Sequence, residues 1–175
     1  SKTIYLVVKN ASDTEYVLYS NDFSSSSKLN ELDIIETTNG TATVSNGKLV
    51  LSALGSNSNF VRILLPEFIG EFGDYKITTN ATITAASNDS RWMSIMHRVQ
   101  ASDYPYYQMC VRSNAAASNG VEFAYRAVAG YDWGYFGKTA YSSALSTSTY
   151  YKFTVDVHGS TANAYINDSL MLETS

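Results

Sequence analysis

The chain has 175 residues, 16% of them charged and 13% aromatic with fourteen tyrosines, and carries a formal net charge of −4. A chain this long buries roughly 70% of its extended surface on folding, enough for one two-layer core without a covalent staple. The acidic balance and the lack of a basic run exclude the electrostatic footprint of a protein that neutralises phosphates or settles on an anionic membrane, so nucleic acid is not an expected partner. Cys110 is the single cysteine, which excludes an intrachain disulfide and a thiolate zinc cluster. It sits in an apolar run and is expected to be a buried, inert thiol. No segment approaches eighteen consecutive apolar residues, so no membrane insertion is expected.

In chain order, thirteen short β-type runs alternate with clusters of Gly, Asn, Ser and Asp, and nothing reads as helical. They are 4–9, 16–21, 33–37, 41–45, 48–53, 60–65, 75–84, 91–100, 106–112, 121–125, 131–138, 151–157 and 162–166. The most informative is the last pair. Tyr151, Phe153, Val155 and Val157 share one face, Lys152, Thr154, Asp156 and His158 the other. Gly159-Ser160 supplies a reversal, Ala162, Ala164 and Ile166 resume the alternation, and Asn167-Asp168 tolerates a left-handed turn before Leu170 and Leu172. The expected architecture is all-β, a two-sheet antiparallel β-sandwich forming a single domain over 1–175. Ser-Lys-Thr leading straight into a strand reads as a cut piece of a longer polypeptide, with 1–15 a strand or linker from a preceding region.

The order of several segments resembles a known group. These are Tyr19-Ser20-Asn21-Asp22-Phe23-Ser24, then Thr41 to Leu51, then Phe72-Gly73-Asp74-Tyr75, Arg91-Trp92-Met93-Ser94-Ile95-Met96-His97-Arg98, Tyr106-Tyr107-Gln108-Met109 and the closing meander. Together they resemble the concanavalin A-like, laminin G-like jelly-roll modules of bacterial surface proteins and carbohydrate-active enzymes, over Tyr16 to Leu172. The resemblance implies a jelly roll and a sugar-binding or adhesive module, often appended to an enzyme. Such modules continue past the turn matching Asn167-Asp168 into a Gly-rich strand and a closing strand. Either Ile4–Lys9 fills that position or a strand lies beyond Ser175.

Glu31-Leu32-Asp33-Ile34-Ile35-Glu36 fits the E-x-D-x-x-E pattern of family 16 glycoside hydrolases, which resemble this fold. In a strand, alternate carboxylates project into one cleft, where one attacks the anomeric carbon and another protonates the leaving oxygen. In those hydrolases the motif follows the strands matching Phe72-Gly73 and Trp92, whereas here it precedes both. A solvated rim strand is the expected reading, with a hydrolase using Glu31, Asp33 and Glu36 as the alternative. His97 and His158 lack metal-ligand spacing and are expected to be satisfied structural or surface histidines.

Sugar binding needs aromatic faces for stacking and a few convergent polar groups. Trp92, Met96 and Arg98 share one face of their run, and Tyr106, Gln108 and Arg112 one face of the next, forming a polar-aromatic floor if the faces coincide. Glu122 and Arg126 flank Tyr125. The segment Gly130 to Gly137 presents Tyr131, Trp133, Tyr135 and Phe136 among glycines; Trp133 and Phe136 capping a sandwich edge is the competing structural reading. Arg98 paired with Glu122 is a further expectation. A structural calcium ion is the one cofactor considered, with Asp22 and Asp156 or Asp168 as candidate ligands.

The leading expectation is a non-catalytic carbohydrate-binding or adhesion module of a secreted or cell-surface bacterial protein. Its partners would be a glycan or polysaccharide and neighbouring domains of the same polypeptide. The mechanism would be stacking on Trp133 and Tyr135 with hydrogen bonds from Arg98, Gln108 and Arg112. A spacer domain that binds no sugar is the remaining alternative.

Overall fold

A computed structural model of the chain describes residues 4–9, 15–53, 55–56, 58–69, 72–100, 104–127 and 133–174; the side chains of Tyr5, Val7, Val8, Lys9 and Phe68 are outside that description. Gly130, Tyr131 and Asp132, and with them the start of the aromatic segment, lie outside the described residues. The architecture is all-β, with antiparallel strand pairing inside each of two compact units, Ser1–Phe72 and Gly73–Ser175. Among the described residues no helix is long and apolar enough to cross a membrane.

The first unit contains β1 (Ile4–Lys9), β2 (Glu15–Asn21), β3 (Asp33–Glu36), β4 (Gly40–Val44), β5 (Leu49–Ala53) and β6 (Val61–Leu64). Two short 3₁₀ turns, Ser26–Glu31 and Glu67–Ile69, appear where no helical structure was expected. β1 pairs with β2, β3 with β6 and β4 with β5. Asn46 and Gly47 both adopt positive φ and close the β4–β5 hairpin, with Ser45 and Lys48 exchanging backbone hydrogen bonds at 2.9 and 3.1 Å. Such a two-residue turn matches the twist of its flanking strands. The buried Asn21 side chain anchors the first 3₁₀ turn: its amide donates to the Lys28 carbonyl at 3.0 Å, and its oxygen accepts from the Phe23 N–H at 2.9 Å.

The second unit contains β7 (Tyr75–Ala81), β8 (Trp92–His97), β9 (Tyr106–Arg112), β10 (Val121–Arg126), β11 (Trp133–Thr139), β12 (Tyr151–His158), β13 (Thr161–Ile166) and β14 (Ser169–Thr174). They form two ladders, β14-β13-β12-β7 and β11-β10-β9-β8. Ile95, Met109, Val111, Val121 and Phe123 from one ladder and Phe153, Val155, Val157, Ala162, Ala164 and Ile166 from the other make one apolar cluster. That packing is consistent with a β-sandwich. The alternation read in the closing meander is the one that fills this core.

β14 is a strand absent from the thirteen expected runs. It follows Asn167 and Asp168, whose positive φ values of 50° and 65° make the expected left-handed turn. Several expected strands are shorter than read, two of them by three residues or more: 75–84 ends at Ala81, and 91–100 spans only Trp92–His97. Arg98 takes a φ of 51°, outside the range a strand residue occupies, and so stops β8.

Candidate functional site

The two expected faces of β8 and β9 do coincide. Trp92 stands opposite Arg112, and Met96 opposite Gln108. β10 adds Glu122, Ala124 and Arg126 to this outer face, and β11 adds Lys138, Tyr135 and Trp133 as their cross-strand neighbours. Trp92 and Trp133 occupy diagonally opposite corners of the ladder, yet their rings meet edge to face with centroids 5.8 Å apart, so the outer face is strongly concave. The Arg112 guanidinium lies 5.7 Å from the Trp92 ring, and that of Arg126 lies 4.8 Å from Trp133 and 5.0 Å from Tyr104. Cations over indole faces are electrostatically favourable. Gln108, Cys110 and Ala124 at the centre of this face, and Tyr106, are buried. Trp92, Met96, Tyr106, Gln108 and Arg112 therefore share one face, with a buried centre. Gln108 is sealed within it, its Nε2 without a hydrogen-bond partner among the described residues.

A hollow of about 390 Å³ lies at one end of the face, lined by Arg112, Asn119, Glu122, Tyr135, Gly137 and Lys138. Arg112 and Glu122 form an ion pair at 3.3 Å, with side chains only 10% and 6% exposed. Arg112 also donates from Nη1 to the Asn119 carbonyl at 2.7 Å. A desolvated pair of this kind holds together because each charge compensates the other's lost hydration. Tyr135, 61% exposed, is the most accessible aromatic ring of the chain among the described residues, and Trp92 is 42% exposed. Exposed rings beside fixed polar groups are the chemistry that a pyranose ring requires.

Other candidate residues go elsewhere. The Arg98 guanidinium donates to the Gly159 carbonyl in the β12–β13 turn, and its backbone N–H donates to the Tyr75 hydroxyl at 2.8 Å. Positive φ turns its side chain away from the floor, and Glu122 pairs with Arg112 rather than Arg98. Tyr125 falls on the opposite face from Glu122, with its ring 5.9 Å from Tyr107 and 6.4 Å from Phe136. The ladder slips by one residue between Phe123 and Ala124, so that Phe136 has no Cα partner. Its ring stacks on Phe123 at 5.6 Å. Within the aromatic segment Phe136 caps the core edge while Trp133 and Tyr135 face outwards.

The acidic hexapeptide does not form one strand. Glu31 ends a 3₁₀ turn, accepts from the Tyr19 hydroxyl at 3.2 Å and pairs with Lys28 at 3.5 Å; Asp33 and Glu36 are exposed on β3. The period-2 projection that the hydrolase motif needs is broken at its first member. Among the described residues no three His, Cys, Asp or Glu side chains converge as metal ligands. Asp22 accepts from the Ser24 N–H at 3.0 Å, which with the Ser24 hydroxyl holds its carboxyl below the usual range; Asp156 pairs with Lys76 at 3.7 Å and Asp168 with Lys152 at 2.7 Å.

The two histidines differ. His158 is exposed, with Nδ1 2.9 Å from Asp74 Oδ2. His97 is buried between Tyr107 and Phe123, and neither ring nitrogen has a hydrogen-bond partner among the described residues. Burial, with a smaller push from the Arg98 charge, lowers its pKa to about 3. Cys110 is buried as expected, and burial pushes its thiol pKa up. Comparison of the chain with protein-family models, curated proteins and solved structures finds no match. Sequence reading missed Asn119 and Lys138. Lys138 closes the run read as 131–138, but its place beside Glu122 depends on the slip at Phe136, which alternation alone does not reveal.

Proposed function

We propose that this chain is a non-catalytic carbohydrate-binding or adhesion module of the concanavalin A-like, laminin G-like jelly-roll type, serving a secreted or cell-surface bacterial protein. The observation that carries this reading is the hollow beside the buried Arg112–Glu122 pair, rimmed by the exposed Tyr135 ring. A sugar stacks its apolar face on Tyr135, while Lys138 and the rim of the ion pair meet its hydroxyl groups. Arg98 and Gln108, expected to contribute hydrogen bonds, have no part in this version, since one points to the β12–β13 turn and the other is sealed within the face. The two-ladder core and the closing meander support the jelly-roll assignment. The hydrolase alternative is weakened by Glu31 lying in a 3₁₀ turn.

A glycan array followed by titration calorimetry tests the reading. At least one polysaccharide is expected to bind the native protein, and Tyr135→Ala is expected to weaken it by about tenfold, the equivalent of about 1.4 kcal/mol of stacking, with an unchanged melting curve. Silence across the array, or binding indifferent to Tyr135, would remove the proposal.

A further inference from the structure

Glu122 stands between two cations. On one side it meets Arg112 at 3.3 Å; on the other, Lys138 is its cross-strand neighbour on β11. Arg112 is spent largely on internal contacts, to the Asn119 carbonyl and to Glu122, though its Nε has no partner among the described residues. Lys138 is exposed and makes no ion pair among the described residues. Two cations against one carboxylate leave the hollow with an excess positive charge, and that charge sits beside the Tyr135 ring. A neutral sugar lying on Tyr135 would shield the Lys138 ammonium from water without replacing its counter-charge. A carboxylated one would supply it, and a charge-assisted contact is roughly twice as strong as a neutral one.

We propose that the hollow selects a saccharide bearing a carboxylate, with the pyranose ring on Tyr135 and the carboxylate on Lys138 at the rim of the Arg112–Glu122 pair. This rests on the carbohydrate-binding reading above and narrows its ligand to acidic glycans. The ion pair acts as a fixed wall and Lys138 as the discriminating charge.

Calorimetric titration with oligomers of polygalacturonate, alginate and hyaluronan, each beside its carboxyl-reduced form, tests the inference; dextran sulfate and a neutral β-glucan complete the panel. At least one carboxylated oligomer is expected to bind about tenfold tighter than its reduced form. Lys138→Gln, an exposed change that leaves the core intact, is expected to cost about fivefold for the acidic oligomer, the scale of one partly exposed ion pair. It should weaken the reduced form, whose hydroxyl groups Lys138 also meets, by less than the acidic one, whereas Tyr135→Ala weakens both alike. Equal affinity after carboxyl reduction, indifference to Lys138→Gln, or dextran sulfate binding as tightly as the carboxylated oligomers overturns the inference. Binding of neutral glycans alone, or silence across this panel, overturns it and leaves the carbohydrate reading standing; silence across the glycan array as well sinks both.

Discussion

Tyr125 and Gly134 face each other across the β10–β11 ladder, and the tyrosine ring occupies the space in which a Cβ on residue 134 would stand. Glycine in a strand costs conformational entropy, and here a cross-strand aromatic ring covers the gap it leaves. Gly134→Ala is therefore expected to destabilise, by about 1–3 kcal/mol, because the ring must leave its contacts with Tyr107 and Phe136. Thermal melts should register this as a fall of about 2–4 °C per kcal/mol. In a Tyr125→Ala background the same substitution should be neutral or slightly stabilising, since the space is then empty and alanine restricts the unfolded chain.

The Arg112–Glu122 pair predicts an asymmetry between single and double substitutions. Arg112→Met leaves the Glu122 carboxylate buried without its cation and is expected to cost about 3–5 kcal/mol. Arg112→Met with Glu122→Leu removes both charges and should cost less than the single change. Urea denaturation of Arg112→Met, Glu122→Leu and the double variant reads the difference as a coupling energy; strict additivity would mean that the pair does not hold this end of β9 and β10 together.

Cys110 should be silent to thiol reagents in the folded protein. Its neighbours across the ladders are Ser94 and Glu122, and burial raises its pKa, with a further push from the Glu122 charge. The thiolate is the reactive form, so a chromogenic disulfide added at pH 7.5 is expected to release no colour until denaturant is present, and then one equivalent. Rapid labelling of the native chain would place Cys110 at the surface.

The parts legible in the sequence are those fixed by local alternation. Phe153, Val155, Val157, Ala162, Ala164 and Ile166 were assigned to one face by period alone, and they form half of the sandwich core. The outer face of β8 and β9 was legible for the same reason, because Trp92, Gln108 and Arg112 lie within regular strands. What failed depends on single backbone departures from the period. Positive φ at Arg98 ends β8 one residue too early for its side chain to join the floor. The register slip at Phe136 decides which aromatic rings face the hollow, and a similar shift between Ala164 and Tyr165 disrupts the pairing of β14, whose Leu170-Met171-Leu172 run has no alternation to read. Nor does the sequence disclose that Trp92 and Trp133 meet, since their contact depends on the curvature of the whole ladder.

His97 makes stability depend on pH in a defined window. Its ordinary pKa is 6.5, and in the folded chain burial lowers it to about 3. Above pH 6.5 the imidazole is neutral in both states and has no effect. Between 6.5 and 3 the unfolded chain binds a proton that the folded chain refuses, so stability falls as the pH falls. From pH 7 to pH 5 the loss amounts to about 2 kcal/mol, at 1.36 kcal/mol per pH unit below 6.5. Of the other shifted groups, Asp22 is held below its ordinary carboxylate range and Tyr19, Tyr75 and Cys110 are pushed up from theirs, so none changes its charge between pH 7 and pH 5. His97→Leu removes the ionisable ring while keeping an apolar side chain against Tyr107 and Phe123. Its melting temperature is expected to drop less between pH 7 and pH 5 than that of the native chain, by about 4–8 °C. Parallel curves for the two proteins over that range would mean that the imidazole takes its proton freely in the folded state, and that the ring is not enclosed.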